Sequence, residues 1–118
     1  MTRYGMMLEQ GDIVLIPVPF TDLSSRKRRP VLILSNNQYN LKSKDVIVAA
    51  ITSNIQENEQ AITISNQDLI DGYLKRMSNV RTDKIYTLAQ DIVIKKFGRL
   101  NREVFHQVVR NIHELLSE

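Results

Sequence analysis

Arg81 and Asp83 stand two residues apart in the segment NVRTDKIYTL. In an extended chain alternate residues share a face, so the two point the same way with backbones roughly 7 Å apart. A cation and a carboxylate at that spacing can flank a reacting phosphodiester, one holding charge and the other moving a proton. The same residues can equally form an ordinary surface ion pair, worth at most about 1 kcal/mol. Arg29 closes the run Arg26-Lys27-Arg28-Arg29 and precedes Pro30. The proline biases Arg29 toward an extended backbone, at the mouth of a strand. Four adjacent cations attract phosphates; they also make a solvated basic turn that guards a sheet edge. Thr52 and Ser53 end an apolar run. Thr52 faces with Ala50 and Val48, and Ser53 faces the other way with Ile51. A hydroxyl there can bind a phosphate oxygen or cap the turn that follows.

Other chemistries lack their residues. There is no cysteine, which excludes disulfides, Cys-based zinc sites and thiol catalysis. His106 and His113 border the apolar stripe of one helix, two turns apart and without a third ligand. They read as boundary residues. The acidic residues are scattered, with no cluster fit for Mg²⁺, and no glycine-rich phosphate loop or HExxH motif appears. No cofactor and no metal are expected. No apolar run approaches the roughly 20 residues of a membrane helix, and the first twelve residues hold no signal-peptide core. The expected place is the cytoplasm, with no membrane partner. Sixteen Lys and Arg against thirteen Asp and Glu give a net charge of +3, compatible with a polyanionic partner.

These residues must be positioned by strands. Asp12 to Phe20 is rich in branched apolar residues, and Pro17 and Pro19 place it at an edge or a bend. Thr21 to Arg28 reads as a loop. Arg29 to Ser35 is continuously apolar after its proline, as a strand buried on both faces is. Asn36 to Lys44 is polar, with one helical turn. Asp45 to Ser53 is a second central strand, Ala61 to Ser65 a half-buried one. Asp68 to Met77 reads as a turn or a short helix broken by Gly72. Asn79 to Leu88 and Ile92 to Phe97 are strand-like. Val104, Phe105, Val108, Val109, Ile112, Leu115 and Leu116 then form the stripe of an amphipathic helix, with Asn101 as N-cap and Glu103 in its first turn. Five to seven strands before one helix predict a mainly β fold: a small barrel with a packed C-terminal helix.

Taken together, four motifs resemble the PemK/MazF toxins of bacterial type II toxin–antitoxin systems. They are Gly11-Asp12-Ile13-Val14, Arg29-Pro30-Val31-Leu32-Ile33-Leu34-Ser35, Ala49-Ala50-Ile51-Thr52-Ser53 and Val80-Arg81-Thr82-Asp83-Lys84-Ile85. The likeness runs from Gly11 to the end in order and spacing, so residues 11–118 read as one domain and residues 1–10 as an N-terminal extension. The resemblance implies an SH3-like barrel of the CcdB/PemK type, a homodimer, and a metal-independent endoribonuclease that cuts single-stranded mRNA. It implies a cognate antitoxin whose acidic and apolar tail covers the RNA groove. The family's arginine before proline falls on Arg29, its strand-end threonine and serine on Thr52 and Ser53. The acid and base of the Kid/PemK branch fall on Arg81 and Asp83. Several relatives carry Glu or His in the loop before the RP motif. Here Thr21 to Arg28 has neither, so no role for that loop carries over.

The resulting expectation is 2′-OH attack on the neighbouring phosphate, leaving a 2′,3′-cyclic phosphate and a 5′-hydroxyl. Asp83 is the base and Arg81 the charge stabiliser. An isolated arginine is a poor acid, so its charge weighs more than its proton. Arg29 and Thr52 hold non-bridging oxygens, Ser53 assists, and Arg26, Lys27 and Arg28 attract the RNA backbone. Two other readings stay open. A gyrase poison of the CcdB type acts through a C-terminal tip with tryptophan, which this chain lacks. A plain RNA-binding barrel has no use for Asp83, which repels phosphate.

Overall fold

The structure, a computed structural model, describes residues 5–17, 27–55 and 61–118. Its strands are β1 (Asp12–Pro17), β2 (Arg28–Ile33), β3 (Asp45–Thr52), β4 (Ala61–Ile64), β5 (Leu69–Gly72), β6 (Ser78–Ala89) and β7 (Lys95–Leu100). They form one curled sheet in the order β4-β6-β3-β2-β1-β7-β5, antiparallel at every ladder. Two helices, α1 (Asn37–Lys42) and α2 (Arg102–Leu116), complete it. No described helix is long and apolar enough to cross a membrane.

Curling lets the sheet bury both faces. Val31, Leu32 and Ile33 are all fully buried, as the unbroken apolar run of β2 predicts. Alternate residues enter opposite clusters. Ile13, Leu32, Ala49 and Ile51 pack with Phe105 and Val108 of α2. Val14, Val31, Ile33, Val46 and Val48 pack on the other side with Leu8. Asp12 is wholly buried, and such a carboxylate must be paired. It accepts from Arg99 Nε at 2.8 Å and the Glu9 amide at 2.8 Å, and lies 3.2 Å from Lys96 Nζ. Arg99 also pairs with Glu9. This network clamps β1 to β7.

Asn101 caps α2 by accepting from the Val104 amide at 2.8 Å. The helix stripe is covered on one side only. Phe105 and Val108 are buried and Val104 and Ile112 pack against the core, whereas Val109, Leu115 and Leu116 stay exposed.

Three sequence expectations need adjustment. Asp68 to Met77 holds a strand, β5, preceded by a single 3-10 turn at Asn66–Asp68. Gly72 there does not break a helix. It has φ +90°, and a Cβ on it would lie 2.1 Å from the Phe97 carbonyl oxygen, so only glycine lets β5 approach β7 this closely. The last strand begins at Lys95, after a second 3-10 turn at Gln90–Ile92. Thirdly, β6 is not regular. Arg81 pairs with Ala50 and Ile85 with Ala49, so residues 82–84 bulge out without a β3 partner. The expected strand end at Val18–Phe20 and most of the expected loop, residues 21–26, lie outside the described residues.

Candidate active site

The bases of the site are the adjacent strands β2, β3 and β6. Val31 of β2 lies opposite Ala50 of β3. Two residues further along each strand, toward the strand ends, Arg29 and Thr52 line the same cleft. Lys27, Arg28, Arg29, Pro30, Thr52 and Ser53 line one cleft of about 310 Å³. The structure brings Arg29, Thr52 and Ser53 into one neighbourhood, with Lys27 and Arg28 beside them. Arg26 lies outside the described residues. Thr52 Oγ1 accepts from the Asn54 amide at 3.1 Å, so it does cap the following turn. A hydroxyl can accept and donate at once, which leaves its proton available to a further acceptor. Ser53 follows the end of β3 and is exposed.

Arg81 is the next strand's contribution. Directly paired residues share a face, so Arg81, opposite Ala50, lies on the same face as Thr52 and Arg29. Two strand spacings, roughly 10 Å, separate β6 from β2. Arg81 is half-buried and Asp83 exposed. Their side chains meet as the alternation predicts. Nε and Nη2 of Arg81 donate to the two Asp83 oxygens, both at 2.9 Å. This bidentate hydrogen bond raises the Arg81 pKa above its ordinary value, against a small opposing effect of burial. The same bond, helped by the charges of Arg81 and Lys84, lowers the Asp83 pKa below the usual carboxylate value. In the unliganded protein the ion-pair reading therefore holds. A phosphate arriving at Arg81 competes with Asp83 for the guanidinium and leaves the carboxylate an available acceptor.

Two residues of this site escaped the sequence reading. Thr82, buried on the bulge between Arg81 and Asp83, donates its hydroxyl to Asn111 of α2. Tyr86, opposite Val48 on the face of Thr52, has its pKa raised by burial and partly lowered again by the positive charge of Arg29. The contact of Thr82 links positions 29 apart, which no local pattern signals. His106 and His113 are exposed on α2. Among the described residues no three His, Cys, Asp or Glu side chains converge as a metal site would require.

The fold and this arrangement have counterparts. The family described as the PemK-like, MazF-like toxin of type II toxin–antitoxin systems matches residues 9–116. The chain belongs to that family. This PemK/MazF-like toxin has the MazF-type barrel. Its structure is similar to that of the MazE–MazF complex from Deinococcus radiodurans, with TM-score 0.77, 19% identity, and 94% of this chain and 96% of that one covered. It is similar to the toxin MazF-mt6 of Mycobacterium tuberculosis, with TM-score 0.71, 21% identity, and 87% and 93% covered. An endoribonuclease in complex with its cognate antitoxin, from a mycobacterial species, gives TM-score 0.73, 18% identity and 93% of each chain. No curated protein matches the chain.

Proposed function

We propose that this toxin is a metal-independent endoribonuclease of single-stranded mRNA, with the Arg/Asp pair of a Kid/PemK-like site. The observation that carries the proposal is one sheet face on which Arg29, Thr52 and Arg81 come from three adjacent strands, with Asp83 bonded to Arg81. Cutting RNA by its own 2′-OH needs a base for the hydroxyl proton and cations for the phosphorane. Asp83 takes the 2′-OH proton as the nucleophilic oxygen attacks phosphorus. The P–O5′ bond breaks, a solvent water donates the proton that the leaving 5′-oxygen takes, and Asp83 returns the proton it took to solvent. Arg81 keeps its proton, since Asp83 raises its pKa, and supplies charge. Arg29 and Thr52 hold the non-bridging oxygens, with Ser53 beside them. The products are a 2′,3′-cyclic phosphate and a 5′-hydroxyl.

The toxin works as a cytoplasmic homodimer held in check by a cognate antitoxin. The uncovered half of α2, with Val109, Leu115 and Leu116 exposed, supports a second subunit, and light scattering at micromolar concentration is expected to give the mass of a dimer. The test of the activity is incubation of the purified protein with a defined single-stranded RNA in EDTA, followed by end-group mapping. Cyclic phosphate ends are expected. Cleavage that vanished on chelation and returned with Mg²⁺ would overturn the mechanism.

A further inference from the structure

The bulge in β6 also changes which residues beyond it face the site. In a regular strand, residues five apart point to opposite faces, so Arg81 and Tyr86 would lie on different sides of the sheet. Here they do not. Arg81 is opposite Ala50 and Tyr86 is opposite Val48. Ala50 and Val48 are two apart on β3 and share a face. Arg81 and Tyr86 therefore share it as well. They stand one same-face step apart, roughly 7 Å along the sheet, although residues 82–85 intervene. Leu88, two residues beyond Tyr86, packs into the cluster of Val31, Ile33 and Val48, as that face requires. Ile85, which alternation would set beside Arg81 and Asp83, pairs instead with Ala49, on the side that α2 covers.

Tyr86 is thus added to the face that carries Arg29, Thr52 and Arg81. Its side chain is half-buried, with 39% of its surface exposed. No described residue shares a hydrogen bond with its hydroxyl, so folding gains none from it. Arg29, two strands away on β2, is near enough for its charge to act on that hydroxyl. Burial outweighs the charge and raises the Tyr86 pKa. The phenol therefore keeps its proton and remains a donor.

We infer that Tyr86 is a further catalytic residue of this toxin, whose hydroxyl donates a hydrogen bond to a non-bridging oxygen of the scissile phosphate beside Arg81. The inference rests on the ribonuclease reading of the site. The phenol transfers no proton. Its bond tightens as charge grows on the phosphorane oxygens, and a bond stronger in the transition state than in the ground state raises the rate. An aromatic ring here could instead stack on a base. The unshared hydroxyl and the cations Arg81 and Arg29, which draw phosphate rather than a base, favour the phosphate contact.

The test compares Tyr86→Phe, which keeps the ring and removes the donor, with Tyr86→Ala. The substrate is a single-stranded RNA of about 12 nucleotides, within the usual footprint of a single-strand binder. It is used unmodified for single-turnover rates, and as its 2′-O-methyl form, which lacks the attacking hydroxyl, for affinity by fluorescence anisotropy. Tyr86→Phe is expected to lower the maximal rate on the order of 10²-fold, the cost of one transition-state donor. Its affinity for the methylated strand is expected to stay within about twofold of the wild type. Tyr86→Ala is expected to lose at least as much rate. Circular dichroism melting confirms the fold of each variant. Sulfur in place of one non-bridging oxygen is a poorer acceptor. In one of the two diastereomers it is expected to slow the wild type more than Tyr86→Phe. Wild-type cleavage matched by full activity in Tyr86→Phe overturns the inference alone, and an affinity lost only in Tyr86→Ala then makes the ring a stacking platform. Equal sulfur effects in the wild type and Tyr86→Phe, in both diastereomers, reduce Tyr86 to a structural role and also overturn it. A wild type that binds the methylated strand but leaves the unmodified strand uncut refutes the ribonuclease reading, and the inference with it.

Discussion

Thr82 donates a hydrogen bond from its hydroxyl to the carboxamide oxygen of Asn111, tying the β6 bulge to the C-terminal helix. The residues on either side of Thr82 are Arg81 and Asp83, which bond to each other across it. A bulge lacks the ladder that holds a regular strand. The helix therefore supplies the anchor that β3 does not. Removing a partner from a buried hydroxyl costs about 1 kcal/mol or more.

Asn111→Ala is expected to lower the melting temperature by about 4 °C and to reduce the maximal cleavage rate several-fold, with RNA affinity nearly unchanged. Thr82→Val, of similar shape, is expected to do the same. The double variant should cost little more than either single one, because both remove one bond. Additive losses in rate would show that the two residues act separately.

Arg81→Ala is expected to lower cleavage by roughly 10²- to 10³-fold, the usual cost of one transition-state donor. Asp83→Asn is expected to cost about 10²- to 10⁴-fold, as for a general base. Both positions face solvent, so the fold is expected to survive each change within about 0.5 kcal/mol. Single-turnover rates on one RNA substrate, with circular dichroism as control, make the comparison. Full activity in Asp83→Asn would reduce Asp83 to an ion-pair partner.

The pH profile follows from the same pair. Arg81 lowers the Asp83 pKa, so the carboxylate stays ionised below the ordinary value of about 3.9. A base must be deprotonated to act. The acid limb of kcat/KM is therefore expected below pH ~4. Removing the partner in Arg81→Ala should move that limb upward, measured on the residual activity. The pair's contribution to folding has the same sign. It is present above the unfolded carboxylate pKa and lost as pH falls through the lower folded one, and solvent screening keeps it small. An acid limb well above pH ~4 in the wild type would count against Asp83 as the base.

What the sequence made legible was local. Arg29 before Pro30 marked the start of β2, and the apolar run behind it marked two-sided burial, because each depends on neighbouring residues only. Alternation was enough to bring Arg81 and Asp83 together, even across an irregular strand. The bulge itself was hidden, since it arises from a register shift between β3 and β6, a relation between strands. β5 was hidden for a related reason. Leu69 to Gly72 is too short for a period, and its strand character comes from Gly72 fitting against Phe97. The stripe of α2 showed which residues are apolar but not which of them the barrel covers. That is set by how the helix packs on the sheet, a relation between elements, which buries Phe105 and Val108 and leaves Val109, Leu115 and Leu116 exposed.

The basic run divides along the same line between position and charge. Arg29 is fixed by β2, with Ile16 opposite it on β1 and Thr52 beside it in the cleft. Lys27 and Arg28 line that cleft at its mouth and are exposed. Arg28 opens β2, opposite Pro17. Under the proposed mechanism Arg29 is suited to the charge that develops at phosphorus, and Arg26, Lys27 and Arg28 are assigned to the ground-state strand. Each phosphate neutralised on a single strand contributes a slope of about −0.7 in log K against log salt. Changing Arg26, Lys27 and Arg28 together to Ser is expected to weaken RNA binding and flatten that slope by up to about 2. The maximal rate and the cleavage sequence should stay nearly the same, because phosphate contacts position RNA without reading bases. Arg29→Ala is expected to do the reverse, with a small loss in binding and a large loss in rate, since interactions made only in the transition state raise kcat. Salt titrations of binding beside saturating single-turnover rates separate the two. A triple Ser variant that cut at a new sequence with an unchanged slope would make the run a base reader and would remove the distinction between Arg29 and its neighbours.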